Sequence, residues 1–200
     1  MIILYGTLLS GHVHRVRLLL SILKLDYQFE AVSGPSSELL GMNPLGQIPI
    51  LKDNGIILSD SNAIMVYLVK RYAPGSSLLP QDPVPAAHVQ RWLSIATGEL
   101  RQGPAAARMV CLFHKENEPA NAKEQSHALF TFMNTHLGQQ EFLATPHPTL
   151  ADLACYAYTA RAPEGGISLE NYLHIQEWLK RIEALPGFVS MPWAKDVNPV

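Results

Sequence analysis

Residues 2–24 read IILYGTLLSGHVHRVRLLLSILK. An apolar run from Ile2 to Tyr5 meets Gly6 and a short loop, and a helical pattern starts after Ser10. Val13, Val16, Leu20 and Leu23 recur at steps of three and four and mark one buried face, with Arg15, Arg17 and Lys24 assigned to water. Ser10 holds the N-cap position, so its hydroxyl lies among unpaired backbone donors at the positive end of the helix. The stretch is a strand, a tight turn and a helix N-terminus at which a thiolate would be stabilised.

Working outward, Tyr27 to Val32 alternates apolar and polar residues and reads as a second strand. A strand, helix, strand unit of this size implies a parallel pair with a right-handed crossover. Residues 33–37 are loop, and Glu38 to Met42 form a short helical turn. Ile48 to Leu51 and Ile56 to Ser59 are short strands around an Asn54-Gly55 hairpin signal, so they pair antiparallel. Ser61 is then expected to cap a helix whose inner face is Ile64, Leu68 and Tyr72, with Met65 and Val69 beside them. The order β-α-β, then β-β-α, is complete by residue 72.

Residues 73–85 hold four prolines and a Pro-Gly pair, the composition of a boundary. The expected division is a domain over 1–73, a linker over 74–85 and an all-helical domain over 86–200. Ala86 to Phe113 shows helical periodicity, bent or interrupted at Gly103-Pro104. Further helices are expected over 122–139, from Thr149-Leu150-Ala151-Asp152 to Ala160, and around Ile175, Trp178, Leu179 and Ile182. Thr149 and Asp152 form a capping box with Asp in place of Glu or Gln.

With 48% apolar and 16% charged residues, the 200-residue chain has material for a core and is too apolar for disorder. A net charge of −2 with both signs interspersed offers no footprint for nucleic acid or an anionic membrane. Neither a membrane span nor a signal peptide is read, which sets a cytoplasmic expectation. Cys111 and Cys155 are expected to be buried, reduced thiols, and no spacing among the eight histidines makes a metal site.

The motifs resemble those of the glutathione transferases, and the likeness runs end to end. It rests on Leu4-Tyr5-Gly6 with Ser10 and Arg15-Val16-Arg17, on NPLGQIPIL at 43–51, on SDSNAI at 59–64 and on TLAD at 149–152. The resemblance implies an N-terminal thioredoxin-like domain that binds glutathione as co-substrate. It also implies an all-helical C-terminal domain lining the pocket for an electrophile, and a homodimer without a metal. Serine rather than cysteine after LYGxxx is similar to the conjugating branches.

Conjugation needs a thiolate, and an unperturbed thiol near pKa ~8.5 is only slightly ionised at neutral pH. Lowering that value by about two units takes roughly 2.7 kcal/mol. A hydroxyl hydrogen bond to a charged group supplies about 1.5–3 kcal/mol and the helix end up to about 1 more. Ser10 is therefore the candidate donor, with Tyr5 its competitor and Thr7 a third.

By resemblance, Pro49 is cis and turns the Ile48 backbone toward the cysteinyl part of glutathione, while Gln47 reaches its peptide backbone. Asp60 and Ser61, at a helix start, suit the ammonium and carboxylate of a γ-glutamyl group. Leu8 and Leu9, with Arg108, Met109, Leu112 and Phe113, are candidates for the electrophile pocket; the last four read equally well as core or interface. Two departures stand out: Asp60 is shorter than the usual Glu, and no basic residue lies between Ala31 and Met42 to take the glycine carboxylate. A relative that keeps the fold but only binds apolar ligands is the alternative, as is a peroxidase or isomerase using the same thiolate.

Overall fold

The computed structural model describes residues 1–34, 36–115 and 119–197. The chain divides into two units, Met1–Pro74 together with the stretch from Pro186, and Gly75–Leu185.

In the first unit, β1 (Ile2–Gly6) runs parallel to β2 (Tyr27–Ala31), with α1 (Gly11–Ile22) as the crossover between them. A short α2 (Ser37–Met42) precedes β3 (Ile50–Asp53) and β4 (Ile56–Ser59), and α3 (Ser61–Tyr72) closes the βαβ-ββα order of a thioredoxin-like unit. The strands lie in the order β2-β1-β3-β4, with β3 antiparallel to both its neighbours. Asp53 pairs with Ile56 across Asn54 (φ 46°) and Gly55 (φ 85°), the two positive angles a type I′ hairpin needs. β3 opens at Ile50 rather than Ile48, because Pro49 has no N–H to give to a ladder.

Register decides the faces of the sheet. Leu4 pairs with Leu51 and Ile2 with Asp53, so these four share a face, and Tyr5, Ile3, Ile50 and Lys52 share the other. Gly6 belongs to the first face and faces α1. A Cβ there would stand 2.4 Å from Val13 Cγ2, so the close approach of β1 and α1 excludes a side chain. On the same face, buried Asp53 accepts hydrogen bonds from Tyr67 (2.8 Å) and Tyr72, both on α3, and from Asn54 Nδ2 at 2.9 Å. The bond to Asp53, with burial, pushes the Tyr72 hydroxyl up to about 12.

Besides the start of β3, further expectations are corrected. Arg15 is buried rather than solvated: α1 is apolar on more than one stripe, since Leu18, Leu19 and Leu20 are all buried, and Arg15 lies on the covered side. The cap of α3 is Asp60, whose Oδ1 accepts from Asn62 N and Ala63 N at 2.9 Å each, and Ser61 is the first helical residue. Strand β2 ends one residue short of Val32. In the second unit, Cys111 is exposed, while Cys155 is buried.

The second unit is helical: α4 (Pro83–Thr97), α5 (Ala106–Phe113), α6 (Ala122–Leu137), α7 (Leu150–Ala160) and α8 (Leu173–Glu183). α4 starts three residues before Ala86 because Asp82 accepts from Val84 N and a proline at the first position costs no hydrogen bond. A π-helical turn at Arg101–Ala105 holds Pro104, so the expected interruption at Gly103-Pro104 is a widened turn between α4 and α5. Trp92, Phe130, Tyr156 and Trp178 fill the core.

Asp152 organises the second unit from within. Its carboxylate accepts from Thr149 N (2.8 Å), Leu143 N (2.9 Å), Trp178 Nε1 (2.9 Å) and the Thr149 hydroxyl (3.2 Å). The capping box read from TLAD is thus also a tie from α7 to the preceding loop and to α8. Among the described residues, no helix is long and apolar enough to cross a membrane.

Candidate active site

Strand ends define the site. β1 ends at Gly6, β3 begins at Ile50 opposite Tyr5, and β4 ends at Ser59 opposite Ile50. The loop after β1, the segment before β3 and the start of α3 therefore meet at one end of the sheet. Ser10, Ile48-Pro49 and Asp60-Ser61 are brought together there.

Ser10 has extended backbone angles (φ −87°, ψ 119°), and its Oγ accepts from Val13 N at 3.3 Å at the head of α1. That bond uses an oxygen lone pair and leaves the hydroxyl proton as a donor. The neighbouring Thr7 folds the loop on itself: its Oγ1 accepts from Leu9 N at 3.3 Å and its carbonyl from Ser10 N at 3.1 Å. Tyr5 stands apart from both. It is on the sheet face opposite α1 and α3, with Lys52 Nζ 5.2 Å from its ring centroid.

Before β3, Asn43 builds the loop that carries Gln47. Its side chain accepts from Leu45 N (3.2 Å) and donates to Gln47 O (2.9 Å), and Asn43 O accepts from Gly46 N (2.8 Å). The Gln47 side chain is exposed, Pro49 is buried, and the Ile48-Pro49 peptide bond is cis.

At α3, Asp60 holds φ 71° and ψ 120°, a conformation that costs energy for a residue with a Cβ and is sustained by its own capping bonds. Ser61, buried at 3% exposure, is gripped from α1. Arg15 Nη1 donates to Ser61 Oγ at 3.3 Å and to Asn62 Oδ1 at 3.0 Å, and His12 Nδ1 lies 3.4 Å from Ser61 Oγ. Two helix N-termini thus converge, joined by an arginine and a histidine. Sequence reading gave neither residue a part at this site. The run Leu18-Leu19-Leu20, one turn beyond Arg15, is the signal that could have placed it inside.

Of the pocket candidates, Leu9 is half-buried in the loop after β1. In the second unit, Arg108 is buried and its Nε meets Glu164 Oε2 at 2.5 Å, while Met109 is half-buried and Phe113 is exposed on α5.

The sheet with its crossover, and the helical unit that follows it in the chain, define the class: a thioredoxin-like unit joined to an all-helical one. Residues 4–77 match the family described as Glutathione S-transferase, N-terminal domain, and residues 84–186 the one described as Glutathione S-transferase, C-terminal domain. Glutathione S-transferase D7 of Drosophila melanogaster is 31% identical over 155 residues, which cover 76% of this chain and 68% of that protein. The structure of a glutathione S-transferase from Xanthobacter autotrophicus superposes with a TM-score of 0.90 at 27% identity, over 98% of this chain and 99% of that one. A glutathione S-transferase from Pseudomonas fluorescens gives 0.85 at 31% identity, over 95% and 98%. The chain belongs to the glutathione S-transferase family.

Proposed function

We propose that this transferase adds the glutathione thiolate to small, largely apolar electrophiles, with the Ser10 hydroxyl holding the thiolate. The observation that carries the reading is the meeting of Ser10 and Ser61, each at a helix N-terminus, at one end of the sheet. A hydroxyl donor at such an end favours the charged form of a thiol.

In this reading Ser61 and the head of α3 take the γ-glutamyl carboxylate. Asp60, whose Oδ1 caps the helix, offers its second oxygen to the ammonium. Gln47 and the Ile48-Pro49 backbone hold the rest of the peptide, and Leu9, in the loop that carries Ser10, is the electrophile-side candidate of this unit. By family resemblance the second unit offers Met109 and Phe113 on α5, with Arg108 tied to Glu164. Tyr5 serves as a packing residue of the outer sheet face. The family resemblance supports a homodimer, a cytoplasmic location and a part in detoxification.

Calorimetric titration with glutathione tests the proposal, at about pH 6.5 and about pH 8, in two buffers of different ionisation enthalpy. Binding with proton release at the lower pH is expected, because a depressed thiol gives up its proton on entering the site. Binding without release would remove the thiolate role, and no binding at millimolar glutathione would remove the reading.

A further inference from the structure

We propose that His12 is a positioning residue for co-substrate binding: through its Nδ1, 3.4 Å from Ser61 Oγ, it decides whether the Ser61 hydroxyl proton points to the ligand carboxylate. The inference rests on the assignment of the γ-glutamyl carboxylate to the head of α3.

The argument is one of proton counting. Arg15 Nη1 can only donate, so Ser61 Oγ accepts there, at 3.3 Å. Ser61 has one proton left to give. When His12 Nδ1 is bare, it draws that proton inward, and the carboxylate loses a donor. When Nδ1 carries a proton, it donates to Ser61 Oγ instead, and the hydroxyl turns outward with a positive charge behind it. Protonated His12 therefore strengthens binding of a carboxylate without touching the sulfur.

Imidazole exchanges its proton in the neutral range, so the effect falls within working conditions. The charged groups around it are Arg15 on its own helix and Asp60 at the head of α3. The stretch from Pro186, which packs on α1 at His14 and Ser21, carries Lys195 and Asp196, both exposed. His14 takes no part at Ser61, because its Nε2 is 2.9 Å from Val189 O.

The test uses S-methylglutathione, which keeps the γ-glutamyl group and has no thiol to titrate, and measures its Kd calorimetrically from about pH 6 to about pH 8. The wild-type affinity is expected to fall about tenfold across that range, with proton uptake on binding. His12→Asn, whose amide nitrogen replaces Nδ1 as a permanent donor, should bind tightly with no pH slope and no proton uptake. His12→Leu removes both the competing acceptor and the charge, so it should bind with no pH slope, more weakly than the wild type at about pH 6 and no more weakly at about pH 8. With glutathione itself the change should fall on KM and leave kcat unchanged. If His12→Leu fails to fold, the flat or sloping profile of His12→Asn decides. A wild-type slope that survives in His12→Asn overturns the inference and leaves the transferase reading standing. Failure of the wild type to bind the probe at millimolar concentration overturns both.

Discussion

Arg15, buried in α1, donates to the hydroxyl of Ser61 at the first residue of α3. One guanidinium on the first helix thereby fixes the start of the third, 46 residues away. Arg15→Lys keeps the charge but is the shorter side chain, so its nitrogen falls short of the point from which Nη1 reaches Ser61 and Asn62 together. The expected outcome is a loss of about 1–3 kcal/mol in urea denaturation and a higher KM for glutathione. Unchanged values of both would show that the guanidinium does not hold α3.

Ser10→Ala removes a cap and a donor at once. kcat/KM should fall at least about tenfold, equivalent to about 1.4 kcal/mol, and stability by about 1 kcal/mol. Stability lost with activity intact would leave Ser10 as a cap and pass the thiolate to Thr7, since Tyr5 is on the far face of the sheet.

Asp152→Ala leaves Leu143 N, Thr149 N and Trp178 Nε1 without their buried acceptor. A loss of about 3–5 kcal/mol is expected in chemical denaturation, enough to unfold much of a marginally stable second unit. Asp152→Asn restores an acceptor oxygen and should recover part of it.

Gly6→Ala drives a methyl group into Val13 Cγ2 at 2.4 Å and should cost about 1–3 kcal/mol. The double substitution Gly6→Ala with Val13→Ala opens the space, so a double-mutant cycle should give a favourable coupling. Additive losses would mean that the clash is relieved by a shift of α1.

The tyrosines supply a pH dependence with a definite sign. Tyr72 is raised from 10.0 to about 12 by Asp53, and Tyr67 is raised by burial and the same carboxylate. A raised folded value means that the neutral phenol is favoured in the native state. The contribution is whole below pH 10.0 and is lost as pH climbs through about 12. Phenolate absorbance should show delayed ionisation in the wild type, and Tyr72→Phe should lose stability less steeply over this alkaline range. Identical alkaline profiles would contradict the Asp53 bond.

Features that depend on neighbours in sequence were legible without coordinates. The Asn54-Gly55 hairpin, the Ser10 cap and the Thr149–Asp152 box each join residues two or three apart, and each is present. The grip on Ser61 was not legible, because Arg15 and His12 lie 46 and 49 residues from it and periodicity alone assigns charge to water. The cap of α3 was misplaced by one residue because serine and aspartate stand side by side and both cap well. Prolines at the start of α4 read as a boundary although the first helical position accepts them. Motif resemblance named the candidate residues; register puts the segments that carry them at one end of the sheet, and long-range hydrogen bonds add Arg15 and His12 to Ser61.

His14 Nε2 meets the Val189 carbonyl, and Gly187 lies against the backbone of Ser21 and Ile22. During synthesis the chain delivers β1 and α1 early, and these contacts arrive only after the whole of Gly75–Leu185 has followed. The first unit to emerge from the ribosome is therefore the last to be finished. Until then the flank of α1 that carries His14 lacks this cover, and apolar surface left open during synthesis is where a nascent chain is exposed to misassembly.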